Sequence, residues 1–202
     1  VGGSKVMNEV AKRLGYSTPE HEPTVAVLHC NGTCENAPDK VEYIGLQSCR
    51  LANRAFVGKT GCPNGCLRLG DCVRNCPFGA IEMDDQTGLP RVNPDKCTSC
   101  GACVRICPRG LYEIRPRGKN GVMVYVACSN KQKGATARKN CKAACIACMK
   151  CTKICPEVTV EENLSRIPPS VSAKLYGAEL AAGCPTGAIV YTGAKGDKNE
   201  QN

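Results

Sequence analysis

The sequence is poor in the side chains that usually fill a protein core. It has no tryptophan, two phenylalanines and six tyrosines in 202 residues, so aromatic residues make up 4% of the chain. Aromatic side chains bury large areas and dominate core energetics. A core built from side chains alone would be thin here, and the sequence predicts that something else holds its loops.

Further absences exclude classes of function. No apolar run reaches eighteen residues and no stretch has the pattern of a signal peptide, so the sequence predicts no membrane span of its own. No glycine-rich dinucleotide fingerprint is present, which argues against a nicotinamide site. The formal charge of +9 would ordinarily suggest nucleic acid, but there is no arginine-rich stripe with interleaved aromatics, and we predict no nucleic-acid partner.

What the chain has instead is cysteine, 18 residues in all. Disulfide scaffolds approach this composition, but the tight spacings here are typical of metal ligation. Zinc ribbons separate two Cys-x2-Cys pairs by a long spacer, whereas here the short spacings run together. Iron–sulfur clusters are therefore preferred, with disulfides and zinc as weaker alternatives. Such clusters would also offset the formal charge of +9, because four thiolates around an oxidised [4Fe-4S] core have a net charge of about −2 per site.

The stretch DKCTSCGACVRICPRG, residues 95–110, carries the strongest motif. Its spacing Cys-x2-Cys-x2-Cys-x3-Cys-Pro is that of bacterial two-cluster ferredoxins, in which the fourth cysteine binds the other cluster. The partner stretch GCPNGCLRLGDCVRNCP has Leu69 where a middle cysteine belongs, and we predict that Cys62 replaces it. The two predicted ligand sets are Cys62, Cys66, Cys72 and Cys107, and Cys76, Cys97, Cys100 and Cys103.

The second half of the chain has one intact triad, in CIACMKCTKICP. By the same crossed rule its cluster is predicted to be bound by Cys145, Cys148, Cys151 and Cys184. Lys174, Gly177 and Leu180 stand where a second triad would be, so one cluster is lost and Cys155 is left without conventional partners. The stretch SAKLYGAELAAG is expected to form a helix that leads into Cys184.

The remaining cysteines suggest a fourth site. Cys30, Cys34 and Cys49 could supply three ligands and Cys128 the fourth, with Cys141 as the rival choice because it is the repeat counterpart of Cys62. The alternative is a set of free, buried thiols. We therefore expect three to four [4Fe-4S] clusters.

The two halves of the chain repeat one another. A predicted strand ends on Cys30 in TVAVLHC and on Cys128 in GVMVYVAC, and similar cysteine spacings follow each strand. We predict an α+β fold of tandem bacterial two-[4Fe-4S] ferredoxin-like modules, with short strands, short helices and long cluster-binding loops. The two strands are expected to lie side by side.

The expected organisation has four parts. A helix over 4–15, expected to pack on the rest of the chain, and a linker occupy 1–22; the first module spans 23–120, the second spans 121–192, and a disordered tail covers 193–202.

The order of these motifs resembles a known family. The chain contains, in this order, CNGTCENAP, GCPNGCLRLGDCVRNCPFGAI, the ferredoxin run and CIACMKCTKICP. This order is similar to that of the B subunit of the Rnf complex, a membrane-bound, ion-pumping ferredoxin:NAD oxidoreductase of bacteria and some archaea. The likeness extends to about Tyr191, and the lost triad is the departure from the family pattern. Because the chain starts at Val1, the resemblance implies that a membrane helix and a further small cluster domain precede it and attach it to the membrane.

The resemblance implies an electron-transfer subunit on the cytoplasmic side of the inner membrane, of which this fragment is a soluble part. Soluble ferredoxin would be the donor and other subunits of the complex the acceptor, with no catalytic site on this chain. Three other interpretations stay open: a polyferredoxin of another redox complex such as a hydrogenase or dehydrogenase, an enzyme that binds substrate at an open-coordinated cluster, and a zinc-stabilised interaction module.

Overall fold

A computed structural model of the chain describes residues 3–16, 22–118 and 121–193. Within these ranges the chain forms seven short helices and eight short strands, which agrees with the predicted α+β class. In chain order they are α1 (Gly3–Arg13), β1 (Thr24–Leu28), α2 (Cys49–Ala55), α3 (Asp71–Arg74), β2 (Ile81–Asp84), β3 (Leu89–Val92), α4 (Ala102–Ile106), β4 (Tyr112–Pro116), β5 (Val124–Val126), α5 (Gly134–Asn140), α6 (Lys150–Ile154), β6 (Thr159–Glu161), β7 (Leu164–Arg166), α7 (Ala173–Gly183) and β8 (Ile189–Tyr191). The tail expected to be disordered lies outside the described residues, apart from Gly193.

The strands form four separate antiparallel pairs, β1 with β4, β2 with β3, β5 with β8, and β6 with β7. No described pair joins the first half of the chain to the second. In each half, the strand that precedes the cysteine motifs pairs with the strand that follows the last Cys-Pro unit. These pairs are β1 with β4 and β5 with β8. In the first half, Thr24 faces Pro116 and Leu28 faces Tyr112. This pairing closes each half around its cysteine loops.

Strands β1 and β5 do not pair with each other, which corrects the expectation that they lie side by side. Their C-terminal ends nevertheless meet. The amide of Asn31 donates to the carbonyl of Ala127 at 2.8 Å, and the hydroxyl of Ser129 donates to the carbonyl of His29 at 3.0 Å. Each strand hydrogen-bonds within its own half, and the two halves join through the segments that follow these strands.

Helix α1 begins and ends close to the predicted positions, but its apolar side does not pack. Val6, Met7 and Val10 are each about half exposed, at 50–52%. The expectation of a packing helix is therefore wrong for the described residues. No helix in these ranges combines the length and apolar character needed to cross a membrane.

The apolar interior is divided into three small clusters. The largest surrounds α7 in the second half and includes Val158, Val171 and Leu180. A second contains Ala26, Ile81 and Tyr112, and a third contains Ala52, Leu67 and Leu69. Cysteines belong to or pack against all three clusters, so the cavities that they line interrupt the core.

Candidate metal centres

Sixteen of the 18 cysteines line four cavities. Each cavity has a volume of about 20 Å³. We call them cavity A (Cys76, Cys97, Cys100, Cys103), cavity B (Cys49, Cys66, Cys72, Cys107), cavity C (Cys30, Cys62, Cys128, Cys141, with Cys66 on its edge) and cavity D (Cys145, Cys148, Cys151, Cys184).

Cavity A brings together the four cysteines that the crossed ferredoxin pattern groups. Its loop turns through two residues with positive φ, Ser99 at 58° and Gly101 at 72°, before α4 begins. These turns wrap three cysteines around one side of the cavity. Cys76 comes from the end of α3, and its sulfur accepts a hydrogen bond from the amide of Ala80 at 3.3 Å.

Cavity D likewise brings together its four predicted cysteines. The amide of Ser165 donates to the sulfur of Cys145 at 3.4 Å, and Cys151 Sγ lies 3.2 Å from the Ser165 hydroxyl. Burial opposes ionisation of Cys184, but hydrogen bonds from Thr186 and from the amides of Ile189 and Ala188 hold the pKa of Cys184 below its usual value. Donors therefore face the sulfurs where negative charge would accumulate.

Cavity B differs from the sequence expectation at one position. Its fourth cysteine is Cys49, whereas Cys62 lines cavity C. The grouping of Cys62 with Cys66, Cys72 and Cys107 is therefore corrected. The reason lies in the loop: Gly65 N donates to Cys62 O in a tight turn, and this turn separates Cys62 from Cys66.

Helix α2 delivers Cys49 to cavity B. Ser48 caps the helix by accepting from the amide of Leu51, and Asp71 at the start of α3 accepts from both Ser48 Oγ and the amide of Arg50. These bonds fix the beginning of α2 beside the beginning of α3. Leu69, the residue that lacks a sulfur, is only 4% exposed and packs with Ala52 of the same helix. The helix therefore packs on Leu69 and supplies the fourth cysteine of cavity B.

Cavity C draws its cysteines from both halves of the chain. It includes Cys30, Cys128 and the rival choice Cys141, but neither Cys34 nor Cys49, which corrects the predicted set. Cys34 is exposed and lies outside the four cavities, with Arg68 Nη1 3.7 Å from its sulfur. Its amide donates to the carbonyl of Thr87, which turns the residue toward the β2–β3 loop.

Cys155, the other cysteine outside the cavities, is fully buried in the largest apolar cluster. The positions of the lost triad lie on α7, where Leu180 is 0% exposed and a Cβ on Gly177 would collide with the ring of Tyr191. Helix α7 therefore occupies these positions and packs on the largest apolar cluster. Cys155 behaves as a small buried apolar side chain.

Two arginines brace the loops around cavities B and C. Arg109 follows Cys107-Pro108 and donates to the carbonyls of Cys62 at 3.1 Å and Gly65 at 2.5 Å. Arg68 donates to the carbonyls of Gly32 and Ala37. Burial lowers the pKa of Arg109, and the nearby cysteine thiolates partly offset that effect. Sequence spacing alone does not single out these two arginines.

The thiols fit a polynuclear group better than a single ion. Among the described residues, no three or more His, Cys, Asp or Glu side chains converge closely enough to hold one metal ion. A zinc ion would draw its four sulfurs to about 2.3 Å from a single centre, and the sulfurs of the described residues do not converge in this way. Burial raises the pKa of Cys103 to about 11 and that of Cys128 to about 12, so thiolates at these sites need a cation to offset them.

Contacts between neighbouring cysteines set the order A, B, C, D. Cys103 of cavity A and Cys72 of cavity B share one apolar cluster. The amide of Cys66, between B and C, donates to the sulfur of Cys30 at 3.4 Å, and the amide of Cys145 in D donates to the sulfur of Cys128 in C at 3.4 Å. The cavities thus form an unbroken series through the molecule.

Comparisons with known proteins agree with this chemistry. Residues 60–111 match the family model of the 4Fe-4S dicluster domain. The chain is 42% identical over 190 residues, 93% of its length, to the B subunit of the proton-translocating ferredoxin:NAD(+) oxidoreductase complex of Clostridium ljungdahlii. It is 41% identical over 94% of its length to the B subunit of the Na(+)-translocating ferredoxin:NAD(+) oxidoreductase complex of Acetobacterium woodii.

A third relative is the B subunit of the ion-translocating oxidoreductase complex of Methanosarcina acetivorans, which is 35% identical over 94% of the chain and 70% of that protein. The chain spans 66% and 56% of the lengths of the Clostridium and Acetobacterium relatives. The dicluster match and the cysteine-lined cavities support multiple [4Fe-4S] clusters in this chain.

Proposed function

We propose a function from the premise that this chain belongs to the family of B subunits of ion-translocating oxidoreductase complexes: it is an iron–sulfur protein that relays single electrons. In this proposal reduced ferredoxin is the donor, and other subunits of a membrane-bound, ion-translocating ferredoxin:NAD(+) oxidoreductase are the acceptor. The proposed location is the cytoplasmic side of the membrane. The names of the relatives support the reaction and the assembly.

We assign three [4Fe-4S] clusters to cavities A, B and D. Cavities A and D each have three cysteines from one loop and a fourth from a distant position. In cavity B, packing brings together four cysteines from separate positions. The ligand sets are Cys76, Cys97, Cys100 and Cys103 for A, Cys49, Cys66, Cys72 and Cys107 for B, and Cys145, Cys148, Cys151 and Cys184 for D. When bound, such clusters supply one-electron oxidation and reduction.

The observation that carries the proposal is the unbroken order of the cavities with exposed cysteines at both ends. Cys100 in cavity A and Cys148 in cavity D are exposed, while Cys62 and Cys72 in the middle of the series are buried. Exposed ends suit contact with a donor and an acceptor, and buried middle positions exclude water from the path. The residues between the two ends position the sulfur atoms and shield them from water.

Stopped-flow mixing of the anaerobically purified chain with reduced two-cluster ferredoxin tests the function. We expect electrons to pass from ferredoxin to the chain, so that the chain, separated from ferredoxin without air, shows bleached visible absorbance while the ferredoxin is reoxidised. A chain that dithionite reduces but ferredoxin does not would contradict ferredoxin as the donor.

Two variants test the ligand assignment. Cys49→Ser should lose about four iron atoms per chain and block transfer between the two ends, because Cys49 lines the second cavity of the series. Cys34→Ser is the matched control, since Cys34 lies outside the four cavities, and it should transfer electrons like the unmodified chain. Normal iron content in Cys49→Ser would overturn the cavity B assignment.

A further inference from the structure

Two side-chain hydroxyls contact the sulfurs of cavity D. Ser165 lies in β7 and is only 4% exposed, and its hydroxyl is 3.2 Å from Cys151 Sγ. The hydroxyl of Thr186 is 3.7 Å from Cys184 Sγ. A cysteine that binds iron is a thiolate without a proton, so in a loaded site each hydroxyl donates and each sulfur accepts. Two of the four sulfurs of cavity D therefore face a hydroxyl donor.

Cavity A differs in this respect. In the part of the chain that the structure describes, no side-chain donor is hydrogen-bonded to a sulfur of this cavity, and the sulfur of Cys76 accepts from the backbone amide of Ala80. The hydroxyl of Ser99, which lines the cavity, donates instead to the carbonyl of Thr24 at 2.6 Å. The side-chain hydroxyls are thus directed to sulfur in D and away from it in A.

The other features that set a cluster's potential are similar at the two ends. Each end has one exposed cysteine, Cys100 in A and Cys148 in D. Each also has an exposed cation beside it: Arg105 donates to the carbonyl of Cys100 at 3.1 Å, and Lys150 lines cavity D. Hydrogen bonds to sulfur, net charge and solvent exposure set the reduction potential of an iron–sulfur cluster. The hydroxyl donors are therefore the difference that separates D from A.

A hydroxyl donor favours the reduced form of a cluster, because an added electron makes the four sulfurs more negative and strengthens the hydrogen bond. From these contacts we propose that Ser165 and Thr186 raise the reduction potential of the cluster in cavity D above that of the cluster in cavity A. They are positioning residues that act through the sulfurs of Cys151 and Cys184. This inference rests on the proposed function, because it orders two of the clusters assigned there.

The difference in potential gives the relay a direction. The donor loses one electron to the cluster in A, the electron moves on to the higher-potential cluster in D, and the acceptor takes it there. Each step oxidises one partner and reduces the next by one electron, and no bond forms or breaks. Ferredoxin therefore meets the end at Cys100, and the acceptor meets the end at Cys148.

Redox titration followed by electron paramagnetic resonance, on the full chain purified without air, tests the proposal. In Ser165→Ala the ratio of reduced to oxidised cluster in D should fall about fivefold at a fixed potential, the effect of one lost hydrogen bond. Thr186→Val should lower the same ratio by less, since its contact is longer. Ser170→Ala is the matched control, because the Ser170 hydroxyl is exposed and donates to Glu157, and every midpoint should stay unchanged.

Variants also assign the signals to their cavities. The signal that the two hydroxyl variants shift belongs to cavity D. Cys100→Ala removes or alters the signal of cavity A, because Cys100 lines that cavity. If one hydroxyl variant loses its cluster, the other variant decides the question.

A midpoint for D that lies above that for A in the unmodified chain, and that falls in the hydroxyl variants, supports the proposal. A midpoint for D at or below that for A overturns the direction, and midpoints that move in neither hydroxyl variant overturn the role of the hydroxyls. Both results leave the proposed function intact. A chain without iron–sulfur signals would overturn the proposed function itself.

Clusters that ferredoxin fails to reduce would contradict the donor, whereas the order of the two potentials would still support the inference.

Discussion

At the scale of single residues, hydrogen bonds to sulfur distinguish the cavities from one another. In cavity B the hydroxyl of Tyr112 donates to Cys72 Sγ at 3.4 Å, and both residues are buried. Burial and the neighbouring Cys72 raise the pKa of Tyr112, so the hydroxyl keeps its proton and remains a donor. Hydrogen bonds to sulfur and solvent exposure set the reduction potential of an iron–sulfur cluster.

We expect Tyr112→Phe to lower the reduction potential of the cavity B cluster. The lost donor stabilises the more negative, reduced form, and about 1 kcal/mol of differential hydrogen bonding corresponds to a shift of about 40 mV for one electron. Redox titration followed by electron paramagnetic resonance measures the shift. Tyr125→Phe is the control, since Tyr125 lies against His29 and Arg115, and its potentials should match the unmodified protein. An unchanged potential in Tyr112→Phe would show that this hydroxyl does not tune the cluster.

At the scale of elements, two helices account for the differences between the halves. Helix α2 brings Cys49 to the place where Leu69 lacks a sulfur, and so preserves cavity B. Helix α7 has a different role: Leu180 packs in the apolar cluster, Gly177 lies against Tyr191 of β8, and the helix has no cysteine at the positions of the expected triad. In one half a helix supplies a cysteine to a cavity, and in the other half a helix without cysteine stands where the repeat would place three.

Leu180→Ala should destabilise the second half by about 3 kcal/mol, the usual cost of deleting a fully buried leucine side chain. Leu175→Ala on the same helix is the matched control, because Leu175 is 69% exposed and should change stability little. Denaturant unfolding of the cluster-loaded protein measures both. Equal effects from the two variants would mean that burial of Leu180 does not stabilise the second half.

At the scale of the whole molecule, apolar packing alone is too divided to order the chain. Three small clusters of buried residues are separated by the four cavities, and the strands of the described ranges form only two-stranded pairs. An isolated two-stranded pair is marginally stable at best in water. We therefore expect metal ligation to supply much of the folding free energy.

Removal of iron with a chelator under reducing conditions should abolish cooperative unfolding. The reason is that the thiols would lose the ligation that joins apolar clusters too small to fold alone. Thermal unfolding followed by circular dichroism measures this, and reconstitution with iron and sulfide should restore the transition. A sharp transition in the metal-free chain would show that the apolar clusters suffice.

Local spacing was enough to predict cavities A and D. In both, three cysteines lie on one short loop and the fourth precedes a proline at a fixed place in the repeat, so short-range geometry fixes the partners. The same local signals predicted the α+β class and the start of α7 near Ala173. The resemblance carried by these motifs agrees with the family of the chain.

Tertiary structure decided which cysteine completes cavity B and which cysteines share cavity C. Cys49 lies 17 residues before Cys66 in the sequence, and the packing of α2 on Leu69 and the hydrogen bonds from Ser48 and Arg50 to Asp71 direct it to cavity B. Cys62 was predicted in the wrong set, because its direction depends on the Gly65 turn. Cavity C depends on the meeting of β1 and β5 at their ends, which the alternation of residues along either strand does not specify. Long-range packing sets which thiols share a cavity, because a cysteine carries no spacing signal when its partners come from distant segments.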